Sequence, residues 1–263
     1  MNLSNKLADI VHNTQDLTSR GYYKLDGFPE RYKSKNRETF KEAINQSNNF
    51  AIFTELKFSS PTTQMKHDSS TSKAKEMLKS FVKAGSDGLS ILTEPTYFKG
   101  SLRYLDEATT MFPRIPILMK DFILYPIQID AAKLLGASTI LLIAKIQSKA
   151  NIQYLVDYAH DNSLEVLLEV NNANEMEWAL DTKADVIGIN NRNLDTFQID
   201  IRLTETLLTR FSKRNKPVIS LSGVKTIDDV NKIKKTGANG ILVGTMLSNA
   251  DDPVQVIQKL KLV

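Results

Sequence analysis

From Phe50 onward the chain alternates between two hydrophobic patterns. Short apolar runs occur at Phe50–Leu56, Gly88–Leu92, Pro116–Met119, Thr139–Ala144, Val166–Val170, Val186–Ile189, Pro217–Leu221 and Gly240–Val243. Consecutive apolar positions over so few residues are what a strand buried on both faces of a parallel sheet requires. Between these runs, apolar residues recur at helical spacing, as in Ala74, Met77, Leu78, Phe81 and Val82, or Ile152, Leu155, Val156 and Ala159. Gly85, Gly136 and Gly237 each stand just before a strand, where a helix needs a C-terminal stop. Eight such alternations predict an α/β fold, a single (β/α)8 TIM barrel. A doubly wound open sheet is the alternative, and the missing Gly-x-Gly-x-x-Gly after the first strand weakens its dinucleotide-binding form.

Residues 1–48 carry no buried-strand run. Leu3, Leu7, Ile10 and Val11 make one apolar helical face, and Glu38 to Ile44 suggest a second helix. This segment is predicted to be an N-terminal helical extension covering one end of a catalytic barrel built from residues 49–263. No Pro/Gly/Ser linker separates a further domain, and Ser69–Ser72 reads as a loop ending in a helix cap.

In a barrel, polar residues that close apolar strands face the active-site mouth. Lys120 ends the third run abruptly, and a charge there is costly unless it is paired or used. Side chains alternate with period two, so Glu55 and Lys57 share the inward face with Phe53. The same count groups Lys120 with Leu118, Glu169 and Asn171 with Leu167, and Asn190 with Gly188. Two carboxylates and two lysines in a partly desolvated cavity hold one another ionised, while burial and the second lysine are expected to draw a lysine pKa downward, toward general-acid duty. A ring of structural ion pairs explains the same pattern.

Ser220–Gly223 after strand seven and Val243–Met246 after strand eight are glycine turns where barrels recurrently bind phosphate. Ser59-Ser60-Pro61 offers further donors. Asn191 and Asn193 read as turn residues, with Asn190 the site candidate. Phe98 and Phe122, just past strands two and three, are packing residues or the walls of an aromatic-ligand site.

Composition narrows the chemistry. A formal charge of +4, spread along 263 residues, suits a small anionic substrate better than nucleic acid, which calls for a concentrated basic face. The absence of cysteine excludes a thiolate nucleophile, disulfides and Cys-type zinc sites, and fits a cytoplasmic setting. His12, His67 and His160 lack metal-ligand spacing and read as surface residues. No secretion signal or membrane-length apolar run is visible. Neither a Walker loop nor a Gly-x-Ser-x-Gly elbow is present.

Taken together, Glu55-Leu56-Lys57 with Ser60-Pro61, Ser90 to Glu94, Tyr97-Phe98, Lys120-Asp121-Phe122, Leu168-Glu169-Val170, Gly188 to Leu194, Ser222-Gly223 and Val243-Gly244-Thr245 resemble the indole-3-glycerol-phosphate synthase family over nearly the whole chain. The resemblance implies ring closure of 1-(2-carboxyphenylamino)-1-deoxyribulose 5-phosphate to indole-3-glycerol phosphate, with loss of carbon dioxide and water, in tryptophan biosynthesis. By that resemblance Lys120 would be the general acid and Glu169 the base or cation stabiliser. Glu55 and Asn190 would orient them, and Lys57 would bind the anthranilate carboxylate or assist proton transfer. Ser60, Ser222, Gly223, Gly244 and Thr245 would hold the phosphate. Phe98, Phe122, Leu141 and Leu194 would enclose the ring, with Arg192 counted among them. It implies no metal and no organic cofactor, with a small phosphorylated substrate as the only partner; nucleic acid and membrane are not expected, and a monomer is the default.

Two departures stand out. The family usually carries Ser-Glu-Ser-Gly after strand seven, where this chain has Leu221, so an acidic contact is expected to be missing. It also tends to carry a glycine soon after the Ser-Pro pair, where this chain continues Thr62-Thr63-Gln64-Met65. Three other readings compete: a Schiff-base aldolase acting on a phosphorylated ketose, a non-catalytic barrel binding phosphorylated ligands, and phosphoribosylanthranilate isomerase, which shares only the phosphate loops and usually employs a cysteine absent here.

Overall fold

A computed structural model describes residues 5–28, 37–48, 50–60, 63–64 and 69–263. Eight parallel strands close into a barrel in chain order: β1 (Ala51–Leu56), β2 (Gly88–Leu92), β3 (Ile117–Lys120), β4 (Thr139–Ile143), β5 (Glu165–Val170), β6 (Val186–Asn190), β7 (Val218–Leu221) and β8 (Gly240–Val243). Closure is made by β1, which pairs with β8 from Ala51↔Gly240 to Thr54↔Val243 and with β2 from Phe53↔Gly88 to Leu56↔Ile91. The open-sheet alternative is thereby excluded. A short antiparallel hairpin, Ser59–Ser60 with Thr63–Gln64, follows β1 and lies outside the barrel sheet.

The period-two pattern divides the apolar residues into two cores. Phe53, Leu118, Leu141, Leu167, Ile219 and Leu242 point inward and fill the barrel, while Ile52, Leu89, Met119, Leu142, Leu168 and Ile187 point outward against the helices. Helices follow the strands as the helical spacing requires. Ser70, Ser148 and Thr226 each cap one, accepting the N–H of Lys73, Asn151 and Asp229 respectively. Gly85, Gly136 and Gly237 adopt left-handed backbone where a helix stops before the next strand.

The segment before the barrel reaches both ends of it, where the pattern predicted cover for one. Helix α1 (Asn5–Ser19) lies at the mouth, where Asn13 donates 3.0 Å to the buried carboxylate of Glu94, just past β2. The turn Tyr22–Lys24 continues this attachment: Tyr22 donates to the Thr93 carbonyl at 2.9 Å and Tyr23 to Asp121 at 3.1 Å. Helix α2 (Phe40–Gln46), capped by Thr39 and Glu42, plugs the opposite end. There Phe40 stacks on Phe53 with centroids 3.9 Å apart, and its N–H donates 3.0 Å to Glu165, the first residue of β5. Leu3 and His67 lie outside the described residues. His12 is exposed, and His160 is half-buried with its Nε2 2.9 Å from Asp185. No helix among the described residues is long and apolar enough to cross a membrane.

Candidate active site

Period two places the four charged residues of the sequence argument on one inward layer at the C-terminal ends of β1, β3 and β5. Glu55 is the hub. Lys120 Nζ lies 2.7 Å from its Oε2 and Lys57 Nζ 3.2 Å from its Oε1, and all three side chains are largely buried. On the far side of the mouth, Asn190 donates 2.7 Å to Glu169 Oε1. Asn190 in turn accepts the Arg192 N–H at 3.0 Å, and the Asn171 amide donates 2.8 Å to the Asn190 carbonyl. The Asn190–Glu169 contact is therefore braced from both neighbouring loops.

The charges settle as a coupled set. Burial draws the Glu55 carboxyl upward, but Lys120 and Lys57 outweigh it and hold the group down at about 2. Burial lowers Lys57 more than Glu55 raises it, so its pKa falls below the ordinary lysine value. Lys120 goes the other way: burial lowers it, yet Glu55 and Glu169 together push it above the ordinary value. The expected downward shift thus belongs to Lys57 and not to Lys120, because only Lys120 faces two carboxylates. Glu169 is raised, chiefly by burial, with Lys120 opposing.

These side chains line a cavity of about 450 Å³ in the barrel mouth. The turns after β7 and β8 bring Ser222, Gly223, Gly244 and Thr245 to its lining, and Lys57 donates 3.0 Å to Thr245 Oγ1, joining these turns to Glu55. Ser222 and Gly223 are both left-handed, with φ of 63° and 93°. A Cβ on Gly223 would sit 2.9 Å from Ile199 Cγ2, so the glycine serves both backbone and packing. The apolar end holds Phe98, Phe122, Leu141, Arg192 and Leu194, with the two phenylalanine rings 5.9 Å apart. Ser60 contributes its backbone to the hairpin, and its side chain lies outside what is described. Among the described residues no three His, Asp or Glu side chains group so as to hold a metal ion.

Two readings need correction. Asn191 is not a left-handed turn residue but a buried brace: its amide donates to Ser220 Oγ at 2.9 Å and to the Leu221 and Ser222 carbonyls, while its oxygen accepts from Thr204. Asn193 does open a turn, its side chain accepting the N–H of Asp195 and Thr196, but its own backbone is not left-handed and Phe197 takes the positive φ. Leu221, where an acidic contact was expected to be missing, packs in the barrel's inner core at 1% exposure. Gly188 accommodates it, since a Cβ there would lie 2.6 Å from Leu221 Cδ1.

Several lining residues escaped the sequence argument. Leu7 and Ile10 of α1 reach the cavity, and Phe197, Ile199 and Lys225 complete its walls from loops. The apolar face of α1 was legible, but its docking on the mouth was not. Phe197 and Ile199 sit in an irregular hairpin closed by the Arg192↔Ile199 bridge, which no strand or helix period marks.

The family model described as indole-3-glycerol phosphate synthase matches residues 10–260. A relative of that name from Staphylococcus aureus (strain JH1) is 38% identical over 258 residues, which is 97% of this chain and 97% of the relative. Among solved structures, a 3-hexulose-6-phosphate synthase superposes with a TM-score of 0.65 at 16% identity, over 81% of this chain and 99% of that one. The Salmonella typhimurium 3-hexulose-6-phosphate synthase gives 0.64 at 14% identity, over 81% and 97%. At such identities these two likenesses speak for the barrel fold alone.

Proposed function

The chain belongs to the indole-3-glycerol phosphate synthase family, and from that premise we propose how its barrel mouth closes the indole ring. The activity is that of a decarboxylating lyase in tryptophan biosynthesis. The substrate 1-(2-carboxyphenylamino)-1-deoxyribulose 5-phosphate loses one carbon dioxide and one water to become indole-3-glycerol phosphate. The aromatic carbon bearing the carboxylate attacks the ketose carbonyl, and the oxygen formed needs a proton as the carbon–carbon bond forms.

Lys120 is our proposed donor. The observation that carries this reading is its ammonium, buried yet held charged 2.7 Å from Glu55 and facing Glu169 across the same cavity. Loss of carbon dioxide from that carbon then leaves its bonding electrons in the ring, which neutralises the delocalised cation and restores the aromatic ring. Departure of the hydroxyl as water needs a second proton, and the resulting cation needs a base to remove the proton that re-forms the aromatic indole. Glu169, buried and raised in pKa by that burial, is placed for that proton exchange, and Asn190 orients it. Lys57, drawn downward, is a second candidate proton carrier beside the phosphate loops. Ser222, Gly223, Gly244 and Thr245 take the phosphate, with Ser60 counted beside them from the family resemblance. Phe98, Phe122, Leu141 and Leu194 enclose the ring, and Arg192 is the nearby cation for its carboxylate.

A Schiff-base aldolase needs an uncharged lysine, and the two carboxylates beside Lys120 oppose one. We infer a cytoplasmic enzyme that works as a monomer on this small phosphorylated substrate, with residues 1–48 acting as part of the catalytic unit. Incubation with the carboxyphenylamino-deoxyribulose phosphate, followed by indole fluorescence, is the test. Turnover by the wild type is expected, and its absence would overturn the reading.

A further inference from the structure

We propose that Lys225 is the outer phosphate ligand of this cavity, meeting the substrate's phosphate from the solvent side while Lys57 meets it from within. The proposal rests on the ring-closure reading above and adds a residue that neither the sequence pattern nor the family resemblance marked.

Charge balance motivates it. Lys57 and Lys120 share one carboxylate, Glu55, at 3.2 and 2.7 Å, and Lys120 also faces Glu169, so the two ammonium groups leave a surplus of at most one positive charge. A phosphate monoester at neutral pH carries about −1.5 to −2. The inner cations therefore do not neutralise it. Two other lysines are engaged: Lys145 lies 2.5 Å from Asp195, and Lys6 sits 4.9 Å over the Phe197 ring. Arg192 donates to the Phe197 carbonyl at 3.3 Å, toward the ring end.

Lys225 is placed for the remaining charge. It lines the cavity next to Ser222, Gly223 and Val224, its side chain is exposed, and its ammonium has no ion-pair or hydrogen-bond partner among the described residues. Its stem starts from a fixed point, because its N–H donates 3.0 Å to Asp229 Oδ2 in the cap of the following helix. The left-handed residues Ser222 and Gly223 turn the backbone sharply just before it, and both line the same cavity as Lys225. An exposed cation at the entrance also attracts the anionic substrate over about a Debye length, an effect that salt weakens.

The test uses the full chain with Lys225→Met and Lys225→Arg and three probes. Inorganic phosphate binding is measured by calorimetry, turnover is measured with the phosphorylated substrate, and the dephosphorylated analogue is measured as a competitive inhibitor. In Lys225→Met, phosphate affinity should weaken and KM rise by about fivefold, the effect expected of a solvent-exposed charge. The loss should appear in KM more than in kcat, shrink as salt is raised, and be largely restored in Lys225→Arg. Inhibition by the dephosphorylated analogue should not change. Unchanged phosphate affinity in Lys225→Met, or equal weakening of the dephosphorylated analogue, would overturn the proposal. If the wild type fails to turn over, the ring-closure reading falls, and calorimetry with inorganic phosphate still decides the role of Lys225.

Discussion

Replacing Lys120 with methionine separates chemistry from scaffolding at the centre of the site. The substitution keeps the volume of the stem but leaves Glu55, 4% exposed, with Lys57 as its one ion-pair partner among the described residues. Removing one partner of a buried pair costs about 3–5 kcal/mol, since the other charge is left without compensation. Lys57, still 3.2 Å from the second carboxylate oxygen, moderates this, so a loss near the lower end, about 3 kcal/mol, is expected from chemical denaturation. Turnover should fall further, by about 10²–10⁴-fold in kcat, the range for removing a general acid. Adding Glu55→Gln to Lys120→Met removes the stranded charge and should return about 1–2 kcal/mol, whereas turnover should stay as low or drop again. Rates come from indole fluorescence at saturating substrate, and stability from circular dichroism in urea. A Lys120→Met enzyme within tenfold of wild-type kcat, or recovery of turnover in the double variant, would refute the reasoning.

Other outcomes follow from the same contacts. Glu165 and Asp121 are raised by burial to about 7 and about 6, from 4.5 and 3.8. An acid with a raised folded pKa stabilises fully below its unfolded value, and the contribution is lost as pH rises through the folded one. The melting temperature should therefore climb as pH is lowered from 8 to 5, with Glu165→Gln flattening the upper part; a constant or falling value would contradict this. Glu55 has the opposite sign: burial raises it, the two lysines outweigh burial, and its contribution is present above 4.5 and lost as pH falls toward about 2. Acid unfolding scans should thus show less loss below pH 4 in Glu55→Gln than in wild type. Gly244→Ala would put a Cβ 2.6 Å from Glu55 Oε1, so kcat should drop at least tenfold while the fold survives by circular dichroism; wild-type kcat would show that Glu55 tolerates displacement. Phe40→Ala removes the ring stacked on Phe53 and should cost about 3–5 kcal/mol in urea unfolding, with a loss under 1 kcal/mol arguing that α2 is not a plug.

Much of this molecule is local in origin. Eight apolar runs of strand length, separated by helical spacing and glycine stops, suffice for the barrel, because each strand must bury both faces and each helix one. The same alternation put Glu55, Lys57, Lys120, Glu169 and Asn190 on one face, since a period of two leaves no choice once the apolar side is known. The family resemblance then supplied a reaction for them.

What lay beyond the sequence are properties of distance. Whether a buried lysine rises or falls depends on how many carboxylates reach it, and only closure of the barrel brings Glu169 to bear on Lys120 as well as Glu55. Asn191 looked like a turn residue because its side chain suits one; its hydrogen bonds to Ser220, Leu221, Ser222 and Thr204 exist only once strands six and seven are neighbours. Phe197 and Lys225 reach the cavity from irregular loops, which carry no periodicity, and α1 showed its apolar face without showing what would cover it. Sequence thus determined the elements and the faces their side chains take, which follow from backbone geometry. The tertiary structure alone decided the charge states and the loop-borne walls, which depend on contacts between residues far apart in the chain.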